Sequence, residues 1–209
     1  MLSHDFPDSY RPLCRRLGLE RGLPFTPQWS AEADFLELLA DQVRDAAPAQ
    51  ILECSSGLST LVLARACALA GRGRVLSLEN GAEYAEGTRA ALAAYGLQAY
   101  ARVVHAPLVE TPLPEGIWQW YDLQGLDIPP VDLLVIDGPP GFLQPLSRYP
   151  ALPLLADRLA PGCCILLDDA AREDEQALVA RWRRRWPQMR CENLPLARGC
   201  VRLEWPGHD

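Results

Sequence analysis

The strongest constraint on this chain is a series of short apolar runs that end in charged or polar groups, with helix-like stretches between them. Gln50 to Leu52, Arg74 to Glu79, Ala101 to His105, Val131 to Asp137 and Cys163 to Asp169 are such runs. They recur roughly every 25–30 residues, the length of a strand, a crossover helix and two turns. Most are apolar on both alternate positions, as strands covered on both faces are. The intervening stretches repeat at helical spacing instead. Phe35, Leu36, Leu38, Leu39 and Val43 form one apolar stripe, with Ser30 as the expected N-cap and an end near Ala47 and Pro48. A second helix is expected from Ser59 to about Ala70, closed by Gly71 and Gly73. A third carries Tyr84, Thr88, Ala91, Leu92 and Tyr95, and Gly96 stops it.

Further along, residues 107–130 are rich in Pro and Trp and are expected as loop and short turns. A helix from about Tyr149 to Leu159 should stop at Pro161 and Gly162, and another should run from Glu173 to Trp186. The tail from Met189 to Trp205 reads as two more strands, an antiparallel pair. Strands alternating with helices give an α/β fold. The expected architecture is a Rossmann-like, doubly wound, mostly parallel sheet of seven strands, with helices on both faces and the last strand antiparallel. Residues 1–27 are expected as an N-terminal arm before a single catalytic domain, residues 28–209.

Composition narrows the function. The length of 209 residues suits one sizeable domain, and 49% hydrophobic with 22% charged residues is ordinary for a globular chain. A net charge of −7 argues against a nucleic-acid partner. All 20 basic residues are Arg, which removes lysine Schiff-base chemistry and the P-loop lysine. The first 22 residues lack the apolar centre of a signal peptide, and no long apolar run reads as a membrane span, so the expected location is the cytoplasm. Seven Cys without a C-x-x-C pair are expected as reduced thiols.

In an open α/β sheet the ligand sits beyond the carboxyl ends of the strands. Glu53, Glu79, His105, Asp137, Asp168 and Asp169 stand there. After Glu53 the chain reads Cys54, Ser55, Ser56, Gly57, Leu58, Ser59, Thr60. This tight turn of small residues enters a helix, where backbone N–H groups favour an anionic group. Glu53 suits a cationic or N–H-donating part of the same ligand. An acid such as Glu79, ending the second strand, accepts hydrogen bonds from ribose hydroxyls. One group of each sign, with a ribose acceptor a βαβ unit away, suits an adenosine that carries an amino acid.

On these residues the chain resembles the class I S-adenosylmethionine-dependent methyltransferases, in particular their small-molecule O-methyltransferase branch. The first motif of that family, E/D-x-G-x-G-x-S/T, appears here as Glu53 to Thr60. Glu79 matches the acid after the second strand, Asp137 the fourth-strand motif, and Asp168 and Asp169 the fifth. The resemblance covers roughly residues 30–205. It implies methyl transfer from S-adenosylmethionine to a small-molecule acceptor, preferably an oxygen. The cofactor would be held by Glu53, Ser55, Ser56, Gly57, Ser59, Thr60, Glu79, Asn80 and Asp137. Asp137 is the candidate catalytic base. The family's metal-dependent branch further implies a Mg²⁺ site at Asp137, Asp168 and Asp169. Read without it, Asp168 ends its strand and Asp169 caps the next helix. Two positions depart from the family: Ser55 replaces a glycine, and no acid follows the third strand.

Other readings stay open. A related sheet could carry a nicotinamide-dependent oxidoreductase, but the turn offers only Gly57 where that motif needs three glycines. The fold could also serve as a non-catalytic binding or assembly module, and a homodimer is open. Trp29, Trp118, Trp120 and Tyr121 are candidate acceptor-pocket or packing residues, and Arg148 and Tyr149 follow the fourth strand where an acceptor would lie. His105 is expected packed, and the arginines at 181–185 solvated.

Overall fold

The computed structural model describes residues 7–19 and 23–207. A turn of 3-10 helix at Asp8–Tyr10 leads into α1 (Arg11–Leu17), and α2 spans Ala33–Ala46. Then follow β1 (Gln50–Cys54), α3 (Leu58–Ala70), β2 (Arg74–Glu79), α4 (Ala82–Ala94) and β3 (Ala101–His105). After β4 (Leu108–Leu113) and β5 (Gly116–Tyr121) come β6 (Val131–Ile136), α5 (Ala151–Leu155), β7 (Leu159–Asp168), α6 (Glu173–Arg185), β8 (Arg190–Leu194) and β9 (Cys200–Glu204).

Seven strands form one sheet in the order β3-β2-β1-β6-β7-β9-β8. All neighbours pair in parallel except at β9, which runs antiparallel to both β7 and β8. The expected doubly wound sheet with its antiparallel last strand is therefore present. Alternation along each strand serves two cores. Ile51, Val75, Leu133 and Val135 face α1 to α4, whereas Leu52, Leu76, Leu134 and Ile136 face α5, α6 and the β4–β5 hairpin. The winding reverses between β1 and β6, the place where a sheet of this kind opens a crevice.

Four local expectations need correction. Residues 108–121 form an antiparallel hairpin rather than loop. Alternation of Trp118 and Trp120 inward against exposed Ile117 carried the signal, masked by the prolines around it. The helix expected to Leu159 is the five-residue α5 followed by a 3-10 turn, and β7 begins at Leu159. Pro161 and Gly162 interrupt the register within β7 instead of preceding it, with Val131 opposite Leu159 and Leu133 opposite Cys164. Ser30 does not cap α2; its hydroxyl accepts the Thr26 N–H at 3.0 Å, closing a turn, and α2 starts after Glu32. Of the N-terminal segment, residues 1–6 and 20–22 lie outside the described residues. Tyr10, Leu13, Cys14, Leu17 and Leu19 are buried in the same core as α2 and α3. All seven cysteines are free.

Candidate active site

The turn after β1 is stitched to the strands on either side. The Ser55 N–H donates to the Leu78 carbonyl at 3.0 Å, and the Asp137 N–H to the Cys54 carbonyl at 3.2 Å. The sheet thus brings the ends of β2, β1 and β6 to one level. Gly57 precedes α3 with φ +142, and a Cβ built on it would meet nothing within 4 Å. The space above this helix N-terminus is open to a ligand, and the backbone there needs a glycine.

Beneath the turn Glu53 is fully buried. Its Oε2 accepts hydrogen bonds from Thr60 Oγ1 at 2.6 Å and from Ser77 Oγ. Thr60 Oγ1 in turn accepts the Gly57 N–H at 3.1 Å. Burial pushes the Glu53 carboxyl above its ordinary range, and the hydroxyls of Ser59, Ser77 and Thr60 oppose that push. Glu53 Oε1 and Ser55 Oγ are buried and have no partner among the described residues. Polar atoms left so are groups that a ligand or water satisfies. Ser55 carries φ +143, backbone that suits glycine, at the position where the expected motif has one. Glu79 is 7% exposed. Its Oε2 accepts from Ser56 Oγ at 2.8 Å and its Oε1 from the Gly81 N–H at 2.9 Å. Asn80 beside it is half-buried.

The second cluster lies across the β1–β6 crevice. Asp137 follows β6, Asp168 ends β7, and Asp169 adopts φ +58, which Asp tolerates. Asp169 does not cap α6, whose N-cap is Arg172. Carboxylate oxygens of the three Asp lie within 4.8 Å of one another. A buried arginine, Arg148, has its guanidinium among them. Nη2 is 2.9 Å from Asp169 Oδ2 and 3.3 Å from Asp137 Oδ1, and it donates to the Asp137 carbonyl at 2.8 Å. Nη1 donates to the Asp168 carbonyl at 2.9 Å and lies 3.7 Å from Glu175 Oε1. Arg172 reaches Asp169 Oδ2 at 2.9 Å. Two of the three candidate metal ligands are thus already bound to a fixed cation. Asp168 Oδ2 and Asp169 Oδ1 stay buried without a hydrogen-bond partner among the described residues. A divalent ion there would nevertheless have to share Asp137 and Asp169 with the guanidinium, so the donor set as arranged suits it poorly.

Burial raises the Asp137 carboxyl to about 7, against the pull of Arg148. Burial, together with Asp137 and Asp169, raises Asp168 to about 8. Asp137 is the most exposed of the three, at 13% of its side chain against 4% for Asp169. Gly138 next to it admits no side chain, because a Cβ would collide with Tyr121 Oη and lie 3.0 Å from the Cys54 carbonyl.

A methyltransferase-domain family model matches residues 52–170, more than half of the chain. The chain belongs to that family. The matched segment runs from β1 through the acidic cluster and so contains both sites. Curated protein sequences give no match. Among solved structures, the methyltransferase fold is similar to an O-methyltransferase from Bacillus cereus in complex with SAH. That pair shares 16% identity over 97% of this chain and 92% of the other, with TM-score 0.65. An SAH-bound methyltransferase from Podospora anserina gives 18% identity, 97% and 90% coverage and TM-score 0.66. TomG from Streptomyces achromogenes, an O-methyltransferase in complex with SAM, gives 17%, 97% and 92%, and 0.63. At such identities the likeness is one of fold.

The sheet brings together Glu53, Ser55, Ser56, Gly57, Ser59, Thr60 and Glu79 as one group, and Asp137, Asp168 and Asp169 as another. Sequence reasoning missed Ser77, Thr88 and Glu175, and it set Arg148 toward an acceptor rather than into the carboxylates. Ser77, on β2, faces Glu53 in register, so strand pairing was the only available signal. Thr88, nearly two turns into α4, meets Ser56 Oγ at 3.2 Å. His105 is exposed, not packed. Trp118, Trp120 and Tyr121 are core residues, whereas Trp29 is 53% exposed and meets the 74% exposed Phe142 with ring centroids 5.6 Å apart. Phe142 lies in the 3-10 turn Gly141–Leu143 that follows Asp137. No helix among the described residues is long and apolar enough to cross a membrane.

Proposed function

We propose that this domain transfers a methyl group from S-adenosylmethionine to a hydroxyl of a small apolar or aromatic acceptor. The observation that carries the reading is the shared level of three strand ends: the open Gly57 turn on β1, Glu79 on β2 and Asp137 after β6. The residues suit this cofactor. Glu79 presents a nearly buried carboxylate for the ribose hydroxyls, a role that Ser56 and Gly81 now fill. The unpartnered Ser55 Oγ and Glu53 Oε1 offer hydrogen bonds near the turn, and the α3 N-terminus favours the amino-acid carboxylate. Ser59, Thr60 and Asn80 complete the expected binding set, Thr60 by holding Glu53 in place.

S-adenosylmethionine held by Glu79 and the 53–60 turn would supply the methyl carbon and a sulfonium leaving group, which the acceptor oxygen would displace. The residues then have two tasks. They hold the acceptor oxygen in line with the methyl carbon, a proximity effect, and they take up the acceptor proton. Asp137 is the group for that proton, since a carboxylate raised to about 7 is a base matched to neutral pH. Trp29 and Phe142 support the choice of acceptor, because an exposed aromatic pair, with Phe142 in the turn that follows Asp137 along the chain, suits a flat, apolar molecule.

Calorimetry with S-adenosylmethionine and S-adenosylhomocysteine tests this reading. Saturable binding of both is expected, and no binding of either at millimolar concentration would overturn it. Transfer of radiolabelled methyl to a panel of phenols and aliphatic alcohols then tests the acceptor class. Trp29→Ala with Phe142→Ala should raise KM for phenols and spare cofactor binding.

A further inference from the structure

We propose that the resident cation of the acidic corner is the Arg148 guanidinium, and that transfer here proceeds without a divalent ion. The inference rests on the methyl-transfer reading above and adds the identity of the charge that organises the site. Arg148 is held first by backbone. Its two terminal nitrogens donate to the carbonyls of Asp137 and Asp168, the residues at the ends of β6 and β7. Those carbonyls are placed by the parallel pairing of the two strands, so the guanidinium position follows from the sheet. Its planar fork then reaches Asp137 Oδ1 and Asp169 Oδ2 with one nitrogen and faces Glu175 Oε1 with the other.

An ion on the remaining oxygens, among them Asp168 Oδ2 and Asp169 Oδ1, which accept no hydrogen bond among the described residues, would share the Asp137 and Asp169 carboxylates with the guanidinium. Like charges separated by one carboxylate group repel strongly inside a protein. The wider balance agrees. Four carboxylates, Asp137, Asp168, Asp169 and Glu175, face three guanidiniums, Arg148, Arg172 and Arg198. A divalent charge is more than this corner lacks. Arg148 engages one oxygen of Asp137 and leaves the other, on the most exposed carboxylate of the set, for the acceptor. Arg148 is thus a positioning residue for Asp137.

Mn²⁺, whose preference for oxygen ligands matches that of Mg²⁺, is the probe. Spin-resonance titration of the wild-type chain should show no Mn²⁺ site that Asp168→Asn abolishes; such a site would overturn the inference. Arg148→Met removes the cation and keeps the inner, apolar part of the side chain. If it folds by circular dichroism, it should bind Mn²⁺ at least about tenfold tighter than wild type, as expected when a repelling charge leaves. A folded variant without that gain would equally overturn the inference. If it does not fold, the wild-type titration decides alone. A merely structural arginine would not create a metal site on removal. Binding of S-adenosylhomocysteine, measured in EDTA on the same wild-type sample, reports separately on the methyl-transfer reading.

Discussion

The two halves of the site bury carboxylates at neighbouring strand ends and stabilise them differently. On the β1–β2 side, Glu53 and Glu79 are met by hydroxyls and one backbone N–H. On the β6–β7 side, Asp137 and Asp169 are met by guanidiniums. Neutral donors can release a carboxylate to an incoming ligand at small cost, because each such bond contributes only about 1 kcal/mol net. A buried guanidinium cannot leave without stranding charge, which costs about 3–5 kcal/mol. The first side is built for exchange of partners, the second for fixed geometry.

Five substitutions and one titration would break or sharpen that contrast. Asp137→Asn should lower transfer by about 10²–10⁴-fold, the usual range for loss of a general base, with S-adenosylhomocysteine affinity nearly unchanged. Near wild-type turnover would remove Asp137 from the proton path. Next comes pH. Asp137 and Asp168 rise from 3.8 to about 7 and about 8 in the folded chain. Between pH 4 and 8 the folded state therefore holds protons that the unfolded state has lost. Unfolding free energy should fall as pH rises through that window, by on the order of a few kcal/mol. Thermal melts from pH 5 to 8 check it, and Asp168→Asn should flatten the trend.

On the exchangeable side, Glu79→Ala should weaken S-adenosylhomocysteine binding by roughly 10–100-fold in calorimetry, the worth of hydrogen bonds to a charged acceptor. Equal affinity would mean that the ribose lies elsewhere. Gly138→Ala forces a methyl against Tyr121 Oη and the Cys54 carbonyl, and should destabilise by about 1–3 kcal/mol in denaturant melts. The smallest effect is Ser55→Gly. Relief of a glycine-type φ gives back about 1–3 kcal/mol, and the added chain entropy takes about 0.5–1 kcal/mol. A net gain of about 1 kcal/mol is expected, and a loss would show that the Ser55 hydroxyl holds the turn.

Much of the fold was legible because its signals are local. Short apolar runs ending in polar groups, and the Gly and Pro breakers between them, placed β2, β3, β6, α3 and α6 within a residue or two. The hairpin was lost where Pro107, Pro112 and Pro114 outweighed the alternation of Trp118 and Trp120, and α5 was overestimated because Pro161 and Gly162, which lie inside β7, were taken as the helix stop. The Gly57 turn was readable because a strand, a small-residue turn and a helix follow one another in sequence.

By itself, then, the sequence determined the alternating α/β order, the strand-end acids and the turn that joins Glu53 to Thr60. Each depends on residues a few positions apart. Only the tertiary structure decided which charges those acids face. Ser77 reaches Glu53 across strand pairing, and Arg148 reaches Asp168 and Asp169 only because β6 and β7 lie side by side. No periodicity encodes such a meeting. It arises when the sheet closes, and at low effective dielectric a few ångströms then decide whether buried carboxylates invite a metal ion or already hold their cation.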